Sequence, residues 1–243
     1  MYKSIAKYYD QLGWNEFHDI ALPRLKPLLI QHRVKSYLDL ACGTGSLAFT
    51  VASMGIDVVG LDRSKEMLEM AAKRLRNFKS RHKPEFIKRD MTRYNLHREF
   101  DAVGCFFDAA NHIVDVDKFA DFIKMASLHV KPGGFFMFDV NTAIGLGRWD
   151  AVLFSKQGEH AVLMKGKYDR AERLASITIH GYVRASNGAV DRFKETFYER
   201  GYPHCDIVSL LRKNGFRKIV AMPQKSDQTL KTALRVFYLA YKG

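Results

Sequence analysis

Tyr37-Leu-Asp-Leu-Ala-Cys-Gly-Thr-Gly-Ser-Leu-Ala48 decides how this chain is read. Residues 37–41 are a short apolar run closed by a glycine turn, the pattern of a buried parallel strand. Gly43 and Gly45 then turn the chain, and residues 46–54 continue with helical character. In a strand, glycine turn, helix unit, bare backbone N–H groups and a helix N-terminus face a ligand. Asp39 breaks the apolar run. A carboxylate buried in a strand is costly without a partner, and a cationic ligand group is a candidate for that partner.

The turn alone leaves two readings open, because Gly43-Thr-Gly45-Ser-Leu-Ala48 also fits the dinucleotide pattern G-x-G-x-x-G/A. The next strand, residues 57–61, ends at Asp62, an acid about twenty residues past the glycines that suits a ribose diol in either reading. Asp39 ahead of the glycines, and Asp90 closing a third strand over residues 84–89, separate the two. Asp39-Leu-Ala-Cys-Gly-Thr-Gly45, Asp62 and Asp90-Met91 together resemble the class I S-adenosylmethionine-dependent methyltransferases. The resemblance covers most of residues 1–141 and resumes at the C-terminus.

That resemblance implies an α/β fold: a Rossmann-like, seven-stranded, doubly wound sheet of order 3-2-1-4-5-7-6, strand 7 antiparallel, with a small antiparallel β insertion. It implies S-adenosyl-L-methionine as cofactor. Ala41, Gly43 and Gly45 would hold its methionine end with Asp39 near the ammonium, and Asp62 would hold the ribose. Asp90 would bond the adenine amino group while Met91 packs on the ring. Met is a soft, adaptable partner for a flat surface, and a carboxylate accepts from an exocyclic amine. Asp90 also reads as a loop cap. Met67, in the first turn of a helix over residues 65–77 capped by Ser64, reads either as a wall of this site or as core. Tyr2 and Tyr9 are seven apart, share a face if helical, and in the family's pattern form an aromatic lid. A further helix is expected over residues 14–33, broken or bent by Pro23 and Pro27.

Strand four, residues 100–107, includes Phe106, which reads as cofactor wall or core, and leads into Asp108-Ala-Ala-Asn111-His112. Parallel-sheet logic puts this segment in the crevice at the carboxyl edge. Asp108 and Asn111 are therefore candidate substrate contacts. His112 is the candidate catalytic base, since histidine alone takes a proton near pH 7 without a large shift, and Tyr9 would orient the acceptor opposite it. His112 equally reads as a helix cap. A helix over residues 115–130, a Lys131-Pro-Gly-Gly134 turn and a strand over residues 135–140 follow.

Between residues 142 and 201 helical periodicity fades. Residues 160–168, 174–184 and 190–198 read as antiparallel strands, with Asn187-Gly188 a hairpin signal. This insertion is the expected substrate cap. Residues 1–141 and 202–243 form the expected cofactor-binding core, with residues 1–33 its lid. The chain ends in a helix over residues 205–213, stopped by Asn214-Gly215, and strands over 216–222 and 234–241. Sugar-amine N,N-dimethyltransferases and glycine-type N-methyltransferases are similar in this layout. That implies a small-molecule acceptor with nitrogen or oxygen as nucleophile.

The formal net charge is +13, which opens a nucleic-acid alternative. The densest basic run, Lys73, Arg74, Arg76, Lys79, Arg81 and Lys83, falls at the end of a helix and reads as a solvated helix end. An RNA methyltransferase is therefore kept as an alternative without being favoured, as are a nicotinamide-dependent oxidoreductase and a non-catalytic nucleotide-binding protein. Cys42, Cys105 and Cys205 are too few and too scattered for a disulfide framework or a zinc site. No metal and no membrane partner are expected, the expected location is cytoplasmic, and the expected assembly is a monomer or homodimer.

Overall fold

The computed structural model describes residues 2–157, 159–184 and 188–243. The chain opens with short 3₁₀ turns at Ala6–Tyr8 and Trp14–Phe17, then α1 (His18–Gln31), β1 (Ser36–Leu40), α2 (Ser46–Ser53), β2 (Asp57–Asp62), α3 (Lys65–Asn77), β3 (Glu85–Lys88) and β4 (Phe100–Cys105). A 3₁₀ turn at Ala109–His112, α4 (Val116–Leu128), β5 (Val130–Asn141) and α5 (Ala143–Gly147) come next. The strands β6 (Val152–Gln157), β7 (His160–Asp169), β8 (Leu174–Arg184) and β9 (Val190–Arg200) precede α6 (His204–Lys213), β10 (Phe216–Pro223) and β11 (Arg235–Lys242).

Seven strands form one sheet in the order β10-β11-β5-β4-β1-β2-β3, with β11 antiparallel to both neighbours. This is the expected order, β10 and β11 standing as strands six and seven. Every residue of β1 is buried, because alternate side chains feed different layers. Tyr37 packs with Leu25, Leu29 and Val51 of α1 and α2. Leu38 and Leu40 pack with Phe119, Phe122 and Leu211 of α4 and α6. In register, Asp39 lies between Gly60 of β2 and Gly104 of β4. The acid is thus flanked by two residues without side chains.

Local signals place several elements where the sequence puts them. Ser64 accepts from the Met67 N–H and starts α3, and Asp115 caps α4 through the Asp117 and Lys118 N–H groups. Gly215 ends α6 with φ +87.

Other expectations need correction. Pro23 and Pro27 lie inside α1 without ending it, since burial of Ala21, Leu25 and Leu29 against the sheet outweighs two missing N–H donors. The N-terminal lid is turns and 3₁₀ helix rather than a continuous helix, although the Tyr2 and Tyr9 rings do meet, 5.9 Å apart. Lys131–Gly134 lies within β5 as a bulge rather than as a separate turn: Phe100 pairs Val130 and Ala102 pairs Phe135. Neither α5 nor β6 was expected. Asn187 lies outside the described residues.

The second sheet, β6-β7-β8-β9, is antiparallel throughout. One face buries Val162, Ile179, Val183, Phe193 and Phe197 against Ile5, Tyr8 and Leu12 of the lid.

Asp101 ties three strands at the base of the main sheet. It accepts from the Lys35 and Ser36 N–H groups at 2.9 and 2.8 Å and from Lys131 Nζ at 2.7 Å. Burial raises its pKa, but Lys131, the two amides and the Ser36 hydroxyl outweigh that and hold it at about 2. A depressed carboxyl stabilises the fold above its unfolded value near ~4 and loses that contribution as pH falls toward its folded value. Asp101→Asn should therefore flatten stability between about pH 4 and pH 2. Urea unfolding measured across that window checks this; parallel curves for variant and parent would contradict it.

Candidate active site

The carboxyl ends of β1, β2 and β4 open onto a cleft of ≈ 220 Å³, beside a smaller cavity of ≈ 80 Å³. Tyr9, Ala41, Gly43, Phe106 and Phe107 line both. The turn between β1 and α2 has Ala41, Gly43 and Gly45 at φ +56, +56 and +81. A side chain on Gly43 would meet only open space, whereas one on Gly45 would lie 2.7 Å from the Phe86 ring. Gly43 therefore bares backbone to the cleft, and Gly45 lets the turn pack on β3.

Asp62 shapes this turn from the end of β2. Its Oδ2 accepts from the Gly43 N–H at 2.9 Å and its Oδ1 from the Ser64 N–H at 2.7 Å. Burial pushes its pKa up, against the opposing amide bonds. Asp39 lines the smaller cavity and is 3% exposed, and its Oδ2 has no hydrogen-bond partner among the described residues. Burial, then the nearby Asp62 charge, pushes its pKa up to about 8. A buried acid with an open lone pair at a cavity wall fits a ligand's cationic group.

The lid is fastened to this turn. Asp10 accepts from Thr44 Oγ1 at 2.8 Å, and Arg74 reaches Ser46 Oγ at 2.7 Å and Asp10 at 3.5 Å. Arg74 thus leaves the basic run, expected to be solvated, and turns back to the glycine turn. Lys73, Arg76, Lys79, Arg81 and Lys83 are exposed as expected. The Tyr9 ring contacts those of Tyr2, Trp14 and Phe107 and separates the cleft from the smaller cavity. Met67, 2% exposed, packs against Tyr9 and also lines the cleft. Asp90 and Met91 form the opposite wall, and Asp90 also caps its own loop through Thr92 N–H and Oγ1 at 2.9 and 2.8 Å.

His112 faces the cleft from the 3₁₀ turn after β4. Its Nδ1 lies 3.1 Å from the Tyr198 carbonyl, which can only accept, so Nδ1 carries the proton and Nε2 an open lone pair. The Tyr2 hydroxyl, 3.3 Å from Nε2, is its donor, and Glu199 Oε1 is 3.8 Å away. Burial lowers the His112 pKa, opposed by the Asp108 charge and the Tyr198 carbonyl, so the ring is neutral at pH 7.

Asp108 and Asn111 do not stand among the residues lining the cleft. Asp108 pairs with Arg235 at 2.8 Å, which, despite burial, holds its carboxyl below the ordinary value. Asn111 is fully buried: its amide donates to the Asn141 and Arg200 carbonyls at 3.0 and 2.8 Å, and its oxygen accepts from the Asn141 N–H at 2.8 Å. It staples β5 to β9, so its expected substrate contact is corrected.

Sequence reasoning missed Glu199, Arg235 and Asp139. Glu199, 1% exposed, accepts from Asn141 Nδ2 at 2.9 Å. Burial, then the Asp108 charge, raises its pKa well above the ordinary value. Asp108, His112 and Glu199 approach within 4.8 Å of one another, and the Arg235 guanidinium supplies the positive charge beside them. One signal for Glu199 was available: Asp191, Glu195 and Glu199 recur every fourth residue, on one face of a strand.

The comparisons with known proteins agree with this geometry. Residues 38–134 match a family model described as a methyltransferase domain. YqeM of Bacillus subtilis, a protein with a methyltransferase name, is 26% identical over 89% of this chain and 87% of its own. A solved S-adenosylmethionine-dependent methyltransferase from Clostridium acetobutylicum has a TM-score of 0.83 at 26% identity, covering 100% of this chain and 99% of that one. A dTDP-3-amino-3,6-dideoxy-alpha-D-glucopyranose N,N-dimethyltransferase of Streptomyces fradiae is 32% identical over 54% of this chain and 50% of its own. The chain is an S-adenosylmethionine-dependent methyltransferase of the class I fold. No helix among the described residues is long and apolar enough to cross a membrane.

Arg235 bridges Asp108 and Asp139 with its side chain about a tenth exposed. Arg235→Met should leave two buried carboxyls without their counter-charge and cost about 3–5 kcal/mol of stability. Urea unfolding at neutral pH measures this, and a loss within about 1 kcal/mol would show the pair to be replaceable.

Proposed function

We propose that this enzyme methylates the nitrogen of a small-molecule amine. The observation that carries this reading is His112: neutral, with its Nε2 lone pair turned into a small lidded cleft and the buried Asp108 charge behind it. An amine reaches such a site protonated and must lose a proton before its lone pair can attack. His112 Nε2 takes that proton, displacing the Tyr2 hydroxyl, and the Asp108 charge stabilises the imidazolium formed. Glu199 is a positioning residue that holds Asp108 and Asn141 in place. The Streptomyces fradiae relative, whose name gives N,N-dimethylation of an amino sugar nucleotide, supports nitrogen as the acceptor atom.

Asp39 with Ala41, Gly43 and Gly45 would hold the cofactor's methionine end, Asp62 its ribose, and Asp90 with Met91 its adenine. Tyr2, Tyr9, Met67 and Phe106 would enclose it. When bound, S-adenosylmethionine supplies a methyl group activated by its positive sulfur. The residues around the cleft align the acceptor and exclude water, with Tyr9 orienting the acceptor opposite His112. In this reading residues 1–141 and 202–243 are the cofactor core and residues 142–201 the substrate cap. Three unpaired thiols support a cytoplasmic location.

Asp39 gives a test of the cofactor assignment that needs no acceptor. Its raised pKa keeps it protonated at pH 7, and a bound ammonium favours the ionised form, so binding should release close to one proton per site. Calorimetry of S-adenosylmethionine binding in buffers of different ionisation enthalpy measures this. Asp39→Asn should abolish the release and weaken binding; unchanged proton release in the variant would remove Asp39 from the site.

Methyl transfer from labelled S-adenosylmethionine to paired amine and hydroxyl analogues of amino sugars and amino acids tests the acceptor. Amines should be methylated, with an acid limb below the ordinary histidine value, and His112→Ala should lower single-turnover rates at least tenfold, or about 1.4 kcal/mol, with cofactor affinity unchanged. Turnover confined to hydroxyl acceptors would overturn the nitrogen reading, and parental rates in His112→Ala would overturn the base.

A further inference from the structure

The second sheet has two faces of opposite character. One carries the lid. Asp191, Glu195 and Glu199 of β9 all point to it, and they bond Lys7 Nζ, the Lys3 N–H and Asn141 Nδ2 respectively. The cross-strand register assigns the other face: Lys156, Ala161, Tyr182 and Arg192 form one row, and Phe154, Leu163, His180 and Lys194 the next. Lys165, Thr178 and Thr196 follow, then Lys167, Ser176 and Tyr198.

Six cations on this face, Lys156, Lys165, Lys167, Arg184, Arg192 and Lys194, are exposed, and Arg184 pairs with Glu159 of the turn between β6 and β7 at 3.3 Å. Among the described residues of these strands, its one carboxylate is Asp169, at the far end. Between the cations stand Phe154, Tyr182 and Tyr198, which are 68%, 45% and 52% exposed. Arg192 lies 5.6 Å from the Tyr182 ring centre. Like charges brought together cost stability unless something opposes them. Large exposed rings on a flat sheet likewise mark a contact surface.

We propose that this outer face of the β6–β9 sheet docks single-stranded RNA, with Phe154, Tyr182 and Tyr198 stacking on bases and the lysines and Arg192 meeting phosphates. Residues on the same face of a strand repeat every ~6.8 Å, so Tyr182 and Phe154 stand in adjacent rows and Tyr198 two rows beyond Phe154, with cations interleaved. Aromatic platforms on a four-stranded sheet bind unpaired bases this way, and each stacked base contributes ~1–3 kcal/mol. A second copy of this chain would bring cations against cations. An anionic lipid surface would satisfy the charges, but rings set within a pleated sheet do not reach into a bilayer as a loop tip would. The lid covers the opposite face, so RNA docked here is held away from the cleft and is not the methyl acceptor.

Fluorescence anisotropy with a labelled mixed-sequence RNA of about twelve nucleotides tests this. With about four phosphate contacts, affinity should fall roughly fifty-fold between 50 and 200 mM salt. Lys165→Glu with Lys194→Glu should cut affinity at least tenfold, and Phe154→Ala with Tyr182→Ala at least fivefold. Cofactor titration should be unchanged in both pairs, which shows that they fold. Lys73→Glu with Arg76→Glu and Lys79→Glu, on α3 and just beyond it, should leave RNA binding near parental. The proposal is overturned by any of four results: no RNA binding at 50 mM salt; binding lost through the α3 set and not the sheet pairs; preference for phosphatidylglycerol vesicles over RNA in competition; or a dimer in sedimentation that the sheet pairs dissociate.

Discussion

Arg235 is the hinge of the structure's chemistry. It stands at the start of the last strand, yet its guanidinium reaches Asp139 in β5 and Asp108 after β4, while the Phe17 ring covers it at 4.5 Å. Asp139 in turn accepts from the Phe107 and Asp108 N–H groups at 2.7 and 3.0 Å. Those two residues sit at φ +61 and +47, a region that costs a non-glycine residue free energy unless its surroundings enforce it. The carboxylate enforces it here. The chain leaves β4 in a fixed direction, and the 3₁₀ turn that follows delivers His112 to the cleft. One buried cation therefore joins the end of the fold, the entry of α1 and the aim of the catalytic candidate.

This explains why the sequence was legible unevenly. The first half of the fold follows from short-range signals: an apolar run before Gly43, Ser64 four residues before Leu68, Asp115 before an apolar stripe. Such signals act within one turn and can be read without knowing the fold. Asp39 was also readable, because an acid inside an apolar strand is conspicuous wherever the strand goes. Arg235 was not. It is one of 39 lysines and arginines, and nothing local separates a guanidinium that will be buried 96 positions from its partner from one that will be solvated. Asn111 misled for the same reason: its position after β4 was right, but its amide answers to the β5 and β9 backbones, which only the folded chain brings near.

The insertion shows a further kind of legibility. Taken residue by residue its strands mix both signs of charge, yet the period of two sorts them. In β9, Asp191, Phe193, Glu195, Phe197 and Glu199 face the lid, and Arg192, Lys194 and Tyr198 face away. Reading β9 by alternate residues would have separated an acidic, partly buried face from a basic, open one. The +13 charge is therefore organised, and the compact basic run near α3 is the less informative part of it.

The same sorting governs access to the cleft. The lid is held at one end by Asp10 on Thr44 and along its length by the β9 acids, with Tyr8 bonding Asp191 and Ser4 bonding Glu195. The Lys7–Asp191 pair has side-chain exposures of 58% and 44%, so water competes for it and its net contribution is small. The apolar contacts of Ile5, Tyr8 and Leu12 with the second sheet hold more strongly, because their surface is removed from water altogether. Tyr2 differs from both. It packs against that cluster and also lines the cleft, at φ +62, with its hydroxyl on His112 and its ring 4.9 Å from Phe197. The strained residue at the tip of the lid is thus also the one that occupies the base. In the proposed reaction the acceptor takes the place of the Tyr2 hydroxyl on Nε2, a single bond at the edge of the lid, whereas the contacts of Ile5, Tyr8 and Leu12 with the second sheet do not involve that bond.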